Sequence, residues 1–374
     1  MPDFLPFTRP TLDEETIADV VAVLRSGWIT SGPKVQELER ALAAYLGGGR
    51  EVRVMTSATG GMEMALKAAG IGPGDEVVVP AMSFAASANV VIRVGARPVF
   101  VDVELRSRNA TAQGFAAALT PRTRALMPVH FSGLAVDMDP VNRLARDRGL
   151  RVIEDAAHAI GTLDRGRLIG SFGDVVSFSF HANKNMTTVE GGALAFADPA
   201  LALPLDRERF HGITKDAAGN VDVYEAGGKY NLTDVAAAVG IGQLRRLPGF
   251  NARRRELARH YFERLVPRLD PDMLPPPADD GHSWHMYTVL VPFAGLGTTR
   301  DEFIAWMKAR GIGIGVHYPS IPGLTYYRQL GWDPEAFPNA ARIGAETVTL
   351  PLFPAMTAGD VDRVCDALLE FVKR

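Results

Sequence analysis

Two residues in the middle of the chain are placed to do chemistry. Lys184 lies in SFSFHANKNMTTVEGGALAF (177–196), just past a short apolar run and just before a Gly-Gly turn into a second one. Upstream, Asp155 closes the apolar run RVIED at the head of EDAAHAIG. A lysine acts as a base or imine former only if its amine can lose its proton, which needs partial burial or a cationic neighbour. A loop lysine is ordinarily a solvated charge, but this segment is too apolar and too rich in small residues for a solvated turn. Acids at strand C-termini often serve sites and often merely cap the next helix. The pairing decides it: an acid and a lysine at two strand ends, among hydroxyl and small side chains, suit pyridoxal 5'-phosphate. The lysine would form the Schiff base and the acid would keep the pyridine nitrogen protonated. Hydroxyls and backbone N–H groups would receive the phosphate.

The anion site has a candidate in TSATGGMEMAL (56–66), where a strand end runs into a helix N-terminus. Exposed N–H groups and the helix dipole favour a phosphate there. Ser57, Ala58 and Thr59 are the donors, although Ser57 or Thr59 could equally be a plain N-cap. Phe84, in PAMSFAASANVV, follows another strand end and could stack on a cofactor ring or simply join the core. His130 and His158 also sit near strand ends, where lone histidines are usually structural. Glu154 should face away from Asp155, because strand side chains alternate. There is no GxxxxGK[ST] and no HExxH, and GIGIG (311–315) has the wrong spacing for a dinucleotide fingerprint, so it reads as a turn.

These residues need a sheet to position them. Apolar strand cores fit at 51–56, 76–80, 98–103, 124–131 and 151–155, with helices at 12–27, from after the GWITSGP loop to 46, and at 59–69, 83–94, 112–119 and 139–148. Continuous apolar strands between helices indicate an α/β fold with a mainly parallel sheet covered on both faces. Right-handed crossovers then gather the strand C-termini on one edge, where ligands bind. Past Gly192 the pattern loosens. HGITKDAAGNVDVYEAGGKYN reads as a long loop, a helix over 233–247 should end at Pro248-Gly249, and a basic helix should begin near Asn251. A Pro-rich connection, one strand (HMYTVLVP) and two further helices complete a smaller α/β part. The boundary is expected near Gly249, giving domains 1–249 and 250–374.

Composition restricts the function classes. The 374 residues are 47% hydrophobic and 22% charged with net charge −3, so no global basic field argues for nucleic acid or an anionic membrane. The single cysteine, Cys365, excludes an intrachain disulfide and any Cys-based metal cluster, and reads as a small buried residue of the last helix. MPDFLPFTRP is too polar and Pro-rich for a signal peptide, and the apolar runs are short for a membrane span, so a cytoplasmic protein is expected.

GWITSGP, SFAASANVV, PVHFSG, EDAAHAIG, FSFHANKN-TTVEGG and KYNLTDVAAAVGIGQL occur in this order. On these motifs the chain resembles the DegT/DnrJ/EryC1/StrS family of aminotransferases, over nearly its whole length. The resemblance implies a pyridoxal-phosphate fold of type I, with a seven-stranded-type sheet and a smaller C-terminal domain. Lys184 would carry the cofactor and Asp155 would pair with its pyridine nitrogen. Phe84 would stack on the ring, and Ala58, Thr59 and Ser179 would hold the phosphate. His158 stands where many members have glutamine, near the phenolic oxygen. Asn231 would reach the phosphate in the neighbouring subunit, making the active unit a homodimer. Trp28, Thr30, His317 and Tyr318 would meet the sugar.

The implied activity is transfer of an amino group from L-glutamate to a nucleotide-linked keto sugar. The SFAASANVV segment leans toward amination at sugar C-4. A family offshoot that dehydrates sugars resembles this chain but has histidine for the lysine, so Lys184 speaks for transamination. The rivals are an aminotransferase on a non-nucleotide keto substrate such as an aminocyclitol precursor, and a non-catalytic cofactor-binding regulator. The latter would usually carry an added DNA-binding segment. Lys229, Arg253 and Arg254 are candidates for a diphosphate clamp, the last two reading more readily as a solvated basic face.

Overall fold

A computed structural model of the chain describes residues 4–216, 218–277 and 280–373. The helices are α1 (Glu14–Ser26), α2 (Pro33–Leu46), α3 (Ala58–Ala68), α4 (Ala86–Arg93), α5 (Ala112–Ala117), α6 (Met138–Arg148), α7 (Ala202–Arg209), α8 (Asp234–Leu265), α9 (Arg300–Ala309), α10 (Thr325–Gln329), α11 (Pro338–Glu346) and α12 (Ala358–Val372). The main sheet takes β1 (Glu51–Met55), β2 (Glu76–Pro80), β3 (Arg97–Val101), β4 (Thr123–Leu126) and β5 (Arg151–Asp155). A small hairpin of β6 (Leu163–Asp164) and β7 (Arg167–Leu168) follows, and then β8 (Val175–Ser179) and β9 (Gly192–Phe196) complete the sheet. The seven strands run in the order β1-β9-β8-β5-β4-β2-β3. β9 pairs antiparallel with both its neighbours, and the other pairings are parallel. This is the mainly parallel sheet that the apolar strands imply.

Local chemistry sets the element ends. Asp13 caps α1 by accepting from the Thr16 N–H at 3.0 Å, and Gly27, at φ 75°, ends it in the left-handed conformation. Ser57 and Thr233 cap α3 and α8 in the same way, and Thr299 with Glu302 forms a capping box on α9.

Two hydrophobic cores stand behind the elements. The first runs under the seven-stranded sheet; the second gathers Leu257, Tyr261, Tyr287, Val348, Leu350 and Leu368, joined from the other end of the chain by Leu5. Ile321, Tyr327 and Ile343, late in sequence, pack in the first core.

The expected break at Pro248 does not occur: α8 is one helix of 32 residues with Pro248 inside it. An interior proline removes one backbone bond and costs about 3 kcal/mol. Packing at both ends holds the helix through it. Ala237, Ile241, Leu244 and Leu247 belong to the first core, and Leu257, Ala258, Tyr261 and Leu265 to the second. The stretch read as a long loop contains a hairpin, β10 (Ile213–Lys215) with β11 (Val221–Val223), whose exposed side chains leave no burial pattern. The strand in HMYTVLVP is β12 (Tyr287–Leu290), and it pairs antiparallel with β13 (Thr347–Leu350), which was not expected. Helices α7, α10 and α11 were also missed. Arg254 is not on a solvated face: its Nη1 donates to the carbonyls of Trp284, His285 and Leu352, and it is 2% exposed. Cys365 is buried in α12.

Candidate active site

Asp155 is the last residue of β5, and Lys184 lies in the turn that leaves the adjacent parallel strand β8. The two therefore meet at the carboxyl edge of the sheet. Alternation sends Glu154 to the other face, where it meets His130 Nε2 at 3.0 Å in a fully buried pair. His130 Nδ1 accepts from the Val136 N–H, so this histidine is part of the sheet's support. Asp155 accepts from Ser87 Oγ at 2.7 Å and from the Ala157 N–H at 3.1 Å. Ser87 in turn lies 2.8 Å from Ser83 Oγ. Because the Ser87 proton goes to the carboxylate, Ser83 is the donor in that pair.

These residues open onto a cavity of about 290 Å³. Its lining contains Ser57, Ala58 and Thr59, Phe84, Asp155 and His158, Ser179, Lys184, and His317 with Tyr318. The cavity also takes in His181, Asn183 and Glu190, which were not singled out although they lie in the lysine segment.

Burial lowers the Lys184 amine to about 8, against a smaller opposing pull from the Asp155 charge. That is the condition a lysine needs to shed its proton near neutral pH. Burial, followed by the Lys184 charge, lowers His317 to about 4 and His158 well below its usual range, so both rings are neutral. Burial raises Tyr318, with Asp155 adding to the effect, so its hydroxyl stays protonated.

The N-terminus of α3 forms the opposite wall. Ser57 Oγ accepts from the Gly60 N–H at 3.0 Å, so this hydroxyl is already engaged as the helix cap. Ala58 and Thr59 begin the first helical turn, which presents free N–H groups. β9 passes very close here: a Cβ on Gly192 would lie 2.4 Å from the Ala58 nitrogen, so only glycine lets the strand approach. Phe84 is 55% exposed, with its ring 5.4 Å from that of Tyr318 and a face left open at the cavity.

His158 Nδ1 accepts from the Ser132 N–H at 3.3 Å, and its Nε2 lies 3.2 Å from the Tyr318 hydroxyl. His317 is held by Thr349 Oγ1 at 2.8 Å and stacks on Phe7.

Asn231, Trp28 and Thr30 do not line this cavity; they form a separate group around Ser31. Asn231 Nδ2 donates to Ser31 Oγ at 2.5 Å, Trp28 Nε1 donates to the Ser31 carbonyl at 3.2 Å, and the Thr30 carbonyl accepts from the Asp234 N–H. Trp28 is 59% exposed. Lys229 bonds the Asn231 Oδ1, while Arg253 is tied to Met356 and Glu256. Sequence reading also missed Ser87, although it lies inside the SFAASANVV motif and follows Phe84 by one helical step.

The residues present fit pyridoxal phosphate: a buried amine near 8, a carboxylate held by two donors, an open aromatic face and a helix N-terminus surround one cavity. Among the described residues no helix is long and apolar enough to cross a membrane.

The profile of the DegT/DnrJ/EryC1/StrS aminotransferase family matches residues 10–369. Among solved structures, DesV from S. venezuelae is 34% identical, with a TM-score of 0.90 over 100% of this chain and 99% of that one. Spr1654 from Streptococcus pneumoniae, in its PLP form, is 32% identical, with a TM-score of 0.90 over 99% of each chain, and it is also known in a PMP form. Helicobacter pylori PseC, an aminotransferase involved in the biosynthesis of pseudoaminic acid, is 26% identical, with a TM-score of 0.92 over 99% of this chain and 100% of that one. With the family profile spanning nearly the whole chain and the lysine–aspartate cavity in place, the protein belongs to the DegT/DnrJ/EryC1/StrS family of pyridoxal-phosphate-dependent aminotransferases.

Proposed function

We propose that the protein transfers an amino group from L-glutamate to a nucleotide-linked keto sugar, at the sugar's C-4 position, in the cytoplasm and as a homodimer. The observation that carries this reading is the Lys184 amine, lowered to about 8 by burial and facing the Asp155 side of a single cavity. The bound cofactor supplies the electron sink that makes the α-hydrogen of the amino acid acidic.

The chain's own groups do the rest. Lys184 Nζ would attach the cofactor and, once released, would act as general base that moves the α-proton from the amino acid to the cofactor's C4′ carbon in the first half of the cycle, and would move a proton in the reverse direction, onto the sugar carbon, in the second. Asp155, held by Ser87 and the Ala157 N–H, keeps the proton on the pyridine nitrogen. Phe84 covers the ring. Ala58, Thr59 and Ser179 hold the phosphate, with Ser57 fixing the helix turn that presents it. His158 stands beside the phenolic oxygen with its Nε2 3.2 Å from the Tyr318 hydroxyl, and His317 and Tyr318 orient the sugar. Asn231, Trp28 and Thr30 cluster around Ser31 on an exposed face of the same chain, and the proposal assigns them to the partner's cavity. Residues 1–249 then form the cofactor-binding part and 250–374 the smaller part, joined through α8.

The family membership and the likeness to Spr1654, named as a sugar aminotransferase, support a sugar substrate, and the SFAASANVV motif supports C-4. The test is a panel of nucleotide-linked keto sugars incubated with glutamate, with 2-oxoglutarate measured and product regiochemistry read by NMR. Formation of a 4-amino sugar is the expected result. Turnover only with free keto cyclitols, or amination at C-3, would overturn the substrate assignment.

A further inference from the structure

We propose that His285 is a positioning residue, one that fixes His158 as an N–H donor at the cofactor end of the cavity. The inference rests on the assignment of that cavity to pyridoxal phosphate. His285 is absent from the cavity lining, is 5% exposed, and packs its ring on that of His158 at 4.6 Å and 29°. On another side the edge of Phe131 meets His158 at 79°.

The surrounding hydrogen bonds settle both tautomers. Asn185 gives its two amide hydrogens to Asn251 Oδ1 and the Ser283 carbonyl, each at 2.8 Å. Its Oδ1 is therefore the acceptor for His285 Nδ1 at 3.2 Å, so His285 carries its proton on Nδ1. His158 accepts the Ser132 N–H on Nδ1, so it carries its proton on Nε2, aimed at the Tyr318 hydroxyl. Ser132, at φ 61°, anchors both residues: its carbonyl takes the His285 backbone N–H at 3.0 Å while its own N–H goes to His158 Nδ1.

The charged and titratable groups around the two rings all act the same way. Burial, then Lys184 and His317, lower His158; burial, then Lys184, His158, Arg254 and His317, lower His285. Both imidazoles stay neutral, and Tyr318, accepting from His158, keeps its own proton for the cavity. Acting through the Tyr318 hydroxyl that it polarises, this fixed, neutral N–H donor stabilises a phenolate better than a phenol. It should therefore lower the pH at which the bound cofactor's chromophore loses its proton.

The test is a pH titration of the visible absorbance of the holoenzyme. His158→Leu removes the donor and should raise the midpoint by about one pH unit, the worth of one neutral hydrogen bond. His285→Leu removes the flat face behind His158 and should raise it by roughly half that amount, while His285→Phe, which keeps the face, restores it. His158→Gln retains an N–H and should stay near wild type. A His285→Leu protein with a lowered melting temperature but an unmoved midpoint would show a purely structural role and overturn the proposal. Should that variant fail to fold, the tautomers can be read in wild-type holoenzyme labelled with ¹⁵N-histidine. The resonance lost in His158→Gln should be a neutral Nε2–H ring at pH 6 to 9, and a titrating or Nδ1–H ring refutes the idea. A wild-type protein with no visible band after addition of the coenzyme would instead sink the cofactor reading itself.

Discussion

Replacing Ser87 with alanine isolates what holds the catalytic carboxylate in place. Ser87 is fully buried, donates to Asp155 Oδ2 at 2.7 Å and receives the Ser83 hydroxyl at 2.8 Å. A hydrogen bond to a charged group is worth about 1.5–3 kcal/mol, and deleting one partner leaves the other to bear the loss. Two losses are expected. Ser83 Oγ, in a residue 2% exposed, is orphaned, which should destabilise the fold by about 1–3 kcal/mol. Asp155 keeps only the Ala157 N–H at 3.1 Å and can swing within its pocket. A carboxylate no longer fixed against the pyridine nitrogen should slow the glutamate half-reaction about tenfold, equivalent to about 1.4 kcal/mol. Stopped-flow loss of the cofactor's visible band reads this rate directly. Ser83→Ala touches Asp155 only through Ser87, so its effect should be several times smaller. The reasoning fails if Ser87→Ala reacts at the wild-type rate, or if Ser83→Ala is as slow as Ser87→Ala.

Three further outcomes follow from particular residues. The cofactor-free protein should capture added coenzyme at a rate that rises with pH through about 8 and then levels, because only the neutral Lys184 amine attacks. A rate still climbing toward the ordinary lysine value of 10.5 would contradict the burial of that amine. Phe84→Leu should weaken cofactor affinity about fivefold, within the 0.5–1.5 kcal/mol of an aromatic stack, and should barely change the melting point of the cofactor-free protein, since Phe84 is 55% exposed. Equal affinity in the two proteins would remove Phe84 from the ring. Val189, a β-branched residue at φ 73° and 60% exposed, is strained beside Glu190 of the cavity. Relief of about 1–2 kcal/mol of left-handed strain exceeds the extra entropy of glycine, so Val189→Gly should gain up to about 1 kcal/mol in chemical denaturation; a loss of stability would mean that the side chain holds the loop.

Asp155 and Lys184 were legible because strand ends in a parallel sheet share one edge, so two short motifs far apart in sequence were placed in one site. Five of the seven strands were legible from their apolar cores, and β8 and β9 as the apolar runs that flank Lys184. What stayed hidden has a common cause, tertiary context. Pro248 and Gly249 signal a helix end, yet two separate cores hold α8 through them. Arg254, in the basic run NARRRELARH, is buried by three carbonyls contributed from distant segments. β13 is four residues long and is recognisable only beside β12. Ser87 acts on a partner 68 residues away in sequence and His285 is oriented by one 100 residues away, separations that no periodicity encodes. Trp28, Thr30 and Asn231 gather around Ser31, apart from the cavity of their own chain.

The central claim is that Lys184 carries the coenzyme. Borohydride reduction of the holoenzyme, followed by proteolysis and mass spectrometry, tests it most directly. The account predicts a single pyridoxyl-modified peptide bearing the label on Lys184, absent from Lys184→Ala. A label on any other lysine, or none after reconstitution with the coenzyme, would contradict it.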